Sequence, residues 1–258
     1  MPGIRNRLLN IGIMYAPVNN VVIRAMHSYR LNSMTMQNRM NPSTVTTSTT
    51  EGFGDLFIGA GYTFLDWHKH PVQHSLHADL LIGLPTGSID EKNDSTGKNQ
   101  AYMLQLGSGS YELRPSVAYN GSTKHVTWGA QVISVIRLNE NANEYKLGNE
   151  YEANIWSSFR FIDWLSFSLR LNATLQDNIT GADPNQASTT MMPGADPESS
   201  GYKQIMALAG LNFYLPHMGN VMSRIGVEGG VPIYQFRNGT QRALSYTWTA
   251  GLRVMASF

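Results

Sequence analysis

Twelve polar or charged residues fall where every second side chain along an extended segment is polar: Arg24, His77, Asp79, Glu112, Arg114, Gln131, Arg137, Glu152, Arg160, Arg170, Glu228 and Arg253. Arginines set among carboxylates can pair into ion bridges, or line a water-filled path that sorts solutes by charge. Either role requires one shared interior. A charge facing lipid at mid-bilayer costs about 2–4 kcal/mol, so a membrane wall would turn all twelve inward. Two readings stay open: a polar channel whose charges select solutes, and a salt-bridge network that fills the lumen. Width decides between them, because about eight strands are filled by their own side chains and about sixteen leave an open pore.

A second chemistry is metal capture. Met34, Met36 and Met40 fall in a long connection close to Met26 and His27, and Met191 and Met192 fall in another. Thioethers are soft ligands that suit Cu(I), so a methionine-rich rim could collect copper as a speculative site. The same side chains also fill irregular gaps. His68, His70 and His74 crowd one turn, with Asp66 the one nearby carboxylate, and read first as a solvated turn. The two Gly-Ala-Asp-Pro copies, 181–184 and 194–197, read as loop turns with too few carboxylates for calcium. There is no Gly-x-Ser-x-Gly elbow, no phosphate loop and no serine visibly set beside a histidine. No enzyme and no cofactor is expected.

The elements that must position these residues are strands. From Leu165 to Gln176 the chain alternates: Leu165, Phe167, Leu169, Leu171, Ala173 and Leu175 against Ser166, Ser168, Arg170, Asn172, Thr174 and Gln176. Successive side chains of a pleated strand point to opposite faces, so this segment has one apolar wall and one polar wall. Tyr246 to Phe258 alternates in the same way. Eleven such strands are predicted, at 7–16, 20–30, 52–65, 74–86, 109–120, 124–138, 149–161, 164–176, 202–215, 220–236 and 242–258. Clusters of Gly, Asn, Asp, Ser and Pro separate them.

Composition agrees. Charged residues are 14% of the 258 and apolar residues 42%, whereas about 25% charged is usual for soluble domains. Lipid outside and a wet lumen inside give this average. The net charge of +1 argues against a nucleic-acid partner. No apolar run approaches the roughly 18 residues of a transmembrane helix, and there are no cysteines.

The connections predicted at 17–19, 66–73, 121–123, 162–163 and 216–219 are the shorter set. Those at 31–51, 87–108, 139–148 and 177–201 are longer, with a short one near 237–241. Outer-membrane barrels have short periplasmic turns and longer outer loops, so the C-terminus is expected on the periplasmic side. Eleven strands would leave the N-terminus outside, and bacterial barrels have even counts. The expectation is therefore a single barrel domain over 1–258, antiparallel and up-and-down, of twelve strands with the first missing here and residues 1–6 its remnant. The alternative, a further strand inside 87–108, would break the alternation of lengths. Aromatic girdles are expected near the short turns at Trp67, Tyr119, Phe161, Trp164, Phe213, Tyr214 and Phe258, and toward the other end at Tyr111, Tyr145, Tyr151 and Tyr202.

Several strings are distinctive: Glu51-Gly-Phe-Gly-Asp-Leu56 leading into Gly61-Tyr-Thr-Phe64, then Leu84-Pro-Thr-Gly-Ser-Ile-Asp90, Met103-Leu-Gln-Leu-Gly-Ser-Gly109 and Trp128-Gly-Ala-Gln-Val132. Together they resemble the outer-membrane transporter family named for the meta-pathway of phenol degradation, and within it the methionine-rich, metal-associated members. The resemblance runs from about residue 11 to the C-terminus. It implies an outer-membrane channel or transporter and supplies no binding residues.

The expected function is passive passage of small solutes, hydrophobic or aromatic compounds or metal ions, across the bacterial outer membrane. The expected partners are outer-membrane lipid and the solute, with a protein partner or further copies of the chain as options. The alternative is a closed structural or scaffold barrel whose outer loops hold a partner protein or copper.

Overall fold

The computed structural model describes residues 3–37, 45–69, 71–93, 96–186, 195–216, 220–239 and 244–256. Its strands are β1 (Gly3–Val18), β2 (Val21–Gln37), β3 (Val45–Lys69), β4 (Val72–Leu84), β5 (Glu112–Ser122), β6 (Val126–Arg137), β7 (Tyr145–Lys146), β8 (Glu150–Ile162), β9 (Leu165–Gln176), β10 (Thr180–Gly181), β11 (Tyr202–Tyr214), β12 (Val221–Arg237) and β13 (Thr247–Ala256). Eleven of them form one sheet in the order β1-β2-β3-β4-β5-β6-β8-β9-β11-β12-β13, so each long strand pairs with its neighbour in sequence. Every ladder is antiparallel. β7 and β10 pair with each other outside this sheet.

The sheet is strongly curled. β1 and β13 are the outermost strands, and no ladder joins them among the described residues. The twelfth expected strand is not among the described residues.

Alternation sets the two faces. Outside lie Leu80, Ile82, Val117, Val132, Ile155, Leu169, Leu211, Val227 and Leu252, all exposed. Residues of the opposite parity point into the concave face, where side chains converge and bury one another: Asp79, Glu112, Ala118, Asn154 and Ser166 are all buried. An apolar outer wall over a polar inner one is the pattern of a membrane barrel. The sheet strands are 10 to 25 residues long, against the roughly 9–11 that cross a bilayer when tilted. Prolines sit where the ladder can spare an N–H: Pro232 adjoins the register shift at Ile205/Met206, and Pro115 falls in a gap in the β5–β6 ladder.

All eleven expected strands form. β2 and β3 run further than expected, to Gln37 and back to Val45. Their ends continue the ladder through Ser33↔Thr49 and Thr35↔Thr47. This extension is rich in Ser and Thr and has no apolar face, so no apolar period marks it. The ends of the sheet are unequal. β1–β2, β3–β4, β5–β6 and β8–β9 are joined by two or three residues at one end, whereas 85–111, 138–149 and 177–201 connect strands at the other.

Candidate functional site

The inner face is organised by ion pairs that reach across glycine. Arg24 on β2 meets Asp79 on β4 at 3.0 Å, passing over the intervening β3. Gly61 on β3 leaves the space, since a Cβ there would collide with the Asp79 carboxylate. Ser116 donates to the same carboxylate at 3.4 Å. The His77 ring stands 4.0 Å from Asp79 and 3.5 Å from Asn120. The same device recurs across β11, where Arg170 on β9 grips both carboxylate oxygens of Glu228 on β12 beside Gly210. Arg170 also donates to Asn154 at 3.1 Å, and Asn154 donates to Glu152 at 2.5 Å.

Nearer the long-loop end, Glu112 is 2% exposed and lies between Arg114 at 2.8 Å and Arg137 at 3.2 Å. Arg137 further donates to the Gly148 carbonyl. Toward the short-turn end, Arg160 stacks over the Tyr214 ring at 4.3 Å. Arg253 stands directly opposite Arg224 in the β12–β13 ladder. Gln131 lies opposite Asn154 on the inner face. All twelve residues singled out in the sequence thus share the concave face, but in separate clusters. Arg224 and Asp55 were not singled out. Arg224 has the same parity on β12 as Glu228, so alternation marks it as inward.

The second component is the connection 85–111, which folds against the wall. Leu104 is fully buried, and Ala101, Leu106, Gln100, Gln105, Ser108 and Ser110 are buried too. The three residues Tyr102–Leu104 form one turn of 3-10 helix. Three glycines let main chain meet main chain: a Cβ on Gly87 would lie 2.7 Å from Gly107 Cα and 2.9 Å from the Gly54 carbonyl carbon. The buried Asp55 carboxylate accepts from Gly87 N at 2.9 Å and from Ser108 N at 2.8 Å. Thr50 donates to the Leu104 carbonyl at 2.5 Å. The distinctive strings around Gly54, Gly87 and Gly107 therefore fasten this loop to β3.

Neighbouring loops complete the cap. Asn141 donates to the Ser108 carbonyl at 3.0 Å, and Asn99 to Asp183 at 2.8 Å. Tyr102 and Tyr145 pack edge to face with centroids 4.7 Å apart, and Asp183 N donates to the Tyr102 hydroxyl at 3.2 Å. Burial pushes both phenols above the ordinary range, and the nearby Asp183 charge adds to the rise.

Several expectations change. Met34 and Met36 lie in β2 and not in a loop. Met34 is 7% exposed and packs on Leu104 and Ala195, with Ile4 and Met103 alongside. Met40, Met191 and Met192 lie outside the described residues. Tyr145 is 1% exposed, so it belongs to the cap and not to a girdle. Tyr202 and Tyr214 lie under Arg237 and Arg160 on the inner face. Trp67, Phe161, Trp164, Tyr111 and Tyr151 are exposed as a girdle requires. Phe258 lies outside the described residues. His74 bonds Tyr119 at 2.8 Å and stacks on Trp67. Among the described residues no cluster of three His, Cys, Asp or Glu side chains could hold a metal.

A family model described as the MetA-pathway of phenol degradation matches residues 20–240. The chain belongs to this family. An outer membrane channel from Pseudomonas putida F1, known from its crystal structure, shares the fold with a TM-score of 0.66 at 11% identity. The match covers 96% of this chain and 82% of that one. A comparison with curated proteins finds no match.

Proposed function

We propose that this protein is an outer-membrane channel for passive passage of small solutes, with connection 85–111 as its gate. The observation that carries this is the pairing of an apolar outer wall with an inner face whose charges are only partly cancelled. Arg24–Asp79 and Arg170–Glu228 each cancel one charge against another, while the single carboxylate of Glu112 is shared between Arg114 and Arg137 and leaves one positive charge over. Arg224 and Arg253 face each other with no described carboxylate on either. A network built only to fill the lumen would pair them, because like charges directly opposite on a ladder are destabilising. The fold shared with an outer-membrane channel supports the same reading.

In this reading the twelve inward residues line the path and set charge selectivity. The short-turn end, with the C-terminus, is periplasmic, and the long-loop end receives the solute. The solute is a small aromatic compound or a metal ion, and the protein does no chemistry on it. The infolded connection gives the closed-scaffold alternative its one support, since it covers the long-loop end. The copper version of that alternative loses weight at Met34, whose thioether is buried against Leu104. Purified protein in planar bilayers tests the channel reading: discrete conductance steps are expected. A correctly inserted barrel that never conducts, even after the 85–111 connection is loosened, overturns it.

A further inference from the structure

The inner faces of β12 and β13 carry an arrangement that the ion-pair network does not explain. Going from the short-turn end inward, the ladder pairs Arg224 with Arg253, then Gly226 with Gly251, then Glu228 with Thr249. The first pair brings two full positive charges side by side on one face. The second carries no side chain at all. The third offers no free carboxylate, because Arg170 holds both oxygens of Glu228.

The result is a recess of about 280 Å³ with a bare floor. Asn212 reaches over one side of the floor, its side-chain oxygen 3.1 Å from where a Gly226 Cβ would stand. Ser168, Thr249 and the paired Arg170 and Glu228 stand around it. At Gly251 an added Cβ would meet nothing within 4 Å, so the emptiness is real space within the lumen.

The surroundings raise the positive potential. Arg160 sits over Tyr214, the residue paired with Arg224 across β11–β12. A guanidinium presents five N–H donors and no acceptor. Two of them with no described carboxylate form a surface that favours an electron-rich, negatively charged group. Carboxylates fit that requirement well, since their two oxygens match the guanidinium fork. Guanidinium planes also stack on aromatic faces, and a glycine floor leaves a flat body room to lie down.

We propose that Arg224 and Arg253 form an oxyanion site that takes a small aromatic carboxylate in transit, its ring lying on the Gly226–Gly251 floor. The inference rests on the channel reading for its biological use but not for the existence of the site. The site concentrates anions at the short-turn end of the lumen. Binding there stays weak enough for release because the recess is open along the axis of passage.

The test uses the full chain, benzoate as the probe and two readouts. In detergent, calorimetric titration is expected to show saturable benzoate binding and none of benzyl alcohol, which has the ring without the charge. Arg224→Gln with Arg253→Gln should weaken benzoate roughly tenfold to a hundredfold, as expected when one or two charge-assisted hydrogen bonds are lost. Gly251→Leu places a side chain over the floor at a position where its Cβ meets no protein atom within 4 Å. It should abolish benzoate binding while leaving inorganic phosphate on the two arginines. In bilayers, benzoate should reduce the chloride current of the wild type and not that of the double variant. The reversal potential of the double variant under a KCl gradient should move toward cation preference.

Benzoate bound equally by wild type and double variant, or neither benzoate nor phosphate bound by the wild type, overturns the site. A wild type that binds phosphate but not benzoate overturns the aromatic assignment and leaves a plain anion site. A protein that binds benzoate in detergent yet never conducts sinks the channel reading and leaves the site standing.

Discussion

The carboxylate of Asp55 on β3 accepts the backbone N–H of Ser108, 53 residues further along the chain, at 2.8 Å. Its other oxygen takes the N–H of Gly87 at 2.9 Å. One buried side chain thus pins both ends of the infolded connection to the wall. Each bond has a charged acceptor and is shielded from water, where a hydrogen bond to an ion contributes about 1.5–3 kcal/mol.

Asp55→Ala should therefore release the connection and raise the mean conductance in planar bilayers. Two N–H groups lose their acceptor, so the docked state loses about 2–5 kcal/mol unless water reaches them. Gly87→Ala should act in the same direction, because its Cβ would press on Gly107. Unchanged conductance in both variants would remove the connection from the gate.

Glu112 bridges Arg114 and Arg137 while almost wholly buried. Glu112→Gln leaves two guanidiniums facing each other without their counter-charge. Breaking a buried pair in this way costs about 3–5 kcal/mol. The expected outcome is a lower temperature for the heat-dependent mobility shift of the barrel on gels. The double change Glu112→Gln with Arg137→Met should recover part of the loss, and no recovery would mean that the triad is not the unit that matters.

Leu169 and Ser168 are sequence neighbours on opposite faces of β9. Leu169 is 55% exposed on the outer wall, and Ser168 lines the recess beside Arg170. Leu169→Arg should cost about 2–4 kcal/mol in a bilayer and reduce assembled barrel in membranes, whereas Leu169→Phe should not. Equal folding yields for the two would argue against a lipid-facing outer wall.

The phenols of Tyr102 and Tyr145 are held neutral by burial, so they ionise at higher pH in the docked cap than in water. Docking keeps its full contribution below the free phenol value of about 10 and loses it as pH climbs toward the docked values. Conductance is expected to be flat through neutral pH and to rise above about pH 10. Tyr102→Phe, which lacks one of the two titrating groups, should show a smaller rise. A rise of the same size in Tyr102→Phe would place the titration elsewhere.

The strands were legible because lipid and lumen impose opposite demands on alternate residues. β9 illustrates this, expected at 164–176 and found at Leu165–Gln176. The inward parity of Arg170, Glu228 and Arg253 followed from the same rule. The extensions of β2 and β3 were not legible, since polar residues occupy both faces, Ser33, Thr35, Thr47 and Thr49 on one and Asn32, Ser48 and Thr50 on the other, and leave no apolar period. The docked connection was hidden for a different reason. Its bonds join residues 54 apart in sequence, as Thr50 and Leu104 are, and they use backbone atoms that carry no side-chain signature. The glycines at 54, 87 and 107 were visible as a pattern but not as a contact.

That contact has a consequence for how such proteins diversify. Main chain stacked on main chain at Gly54, Gly87 and Gly107 fixes where the segment lands without any side chain at those three points. Exposed residues elsewhere in the segment, which make none of the buried contacts, can then be exchanged while the three points of attachment stay where they are.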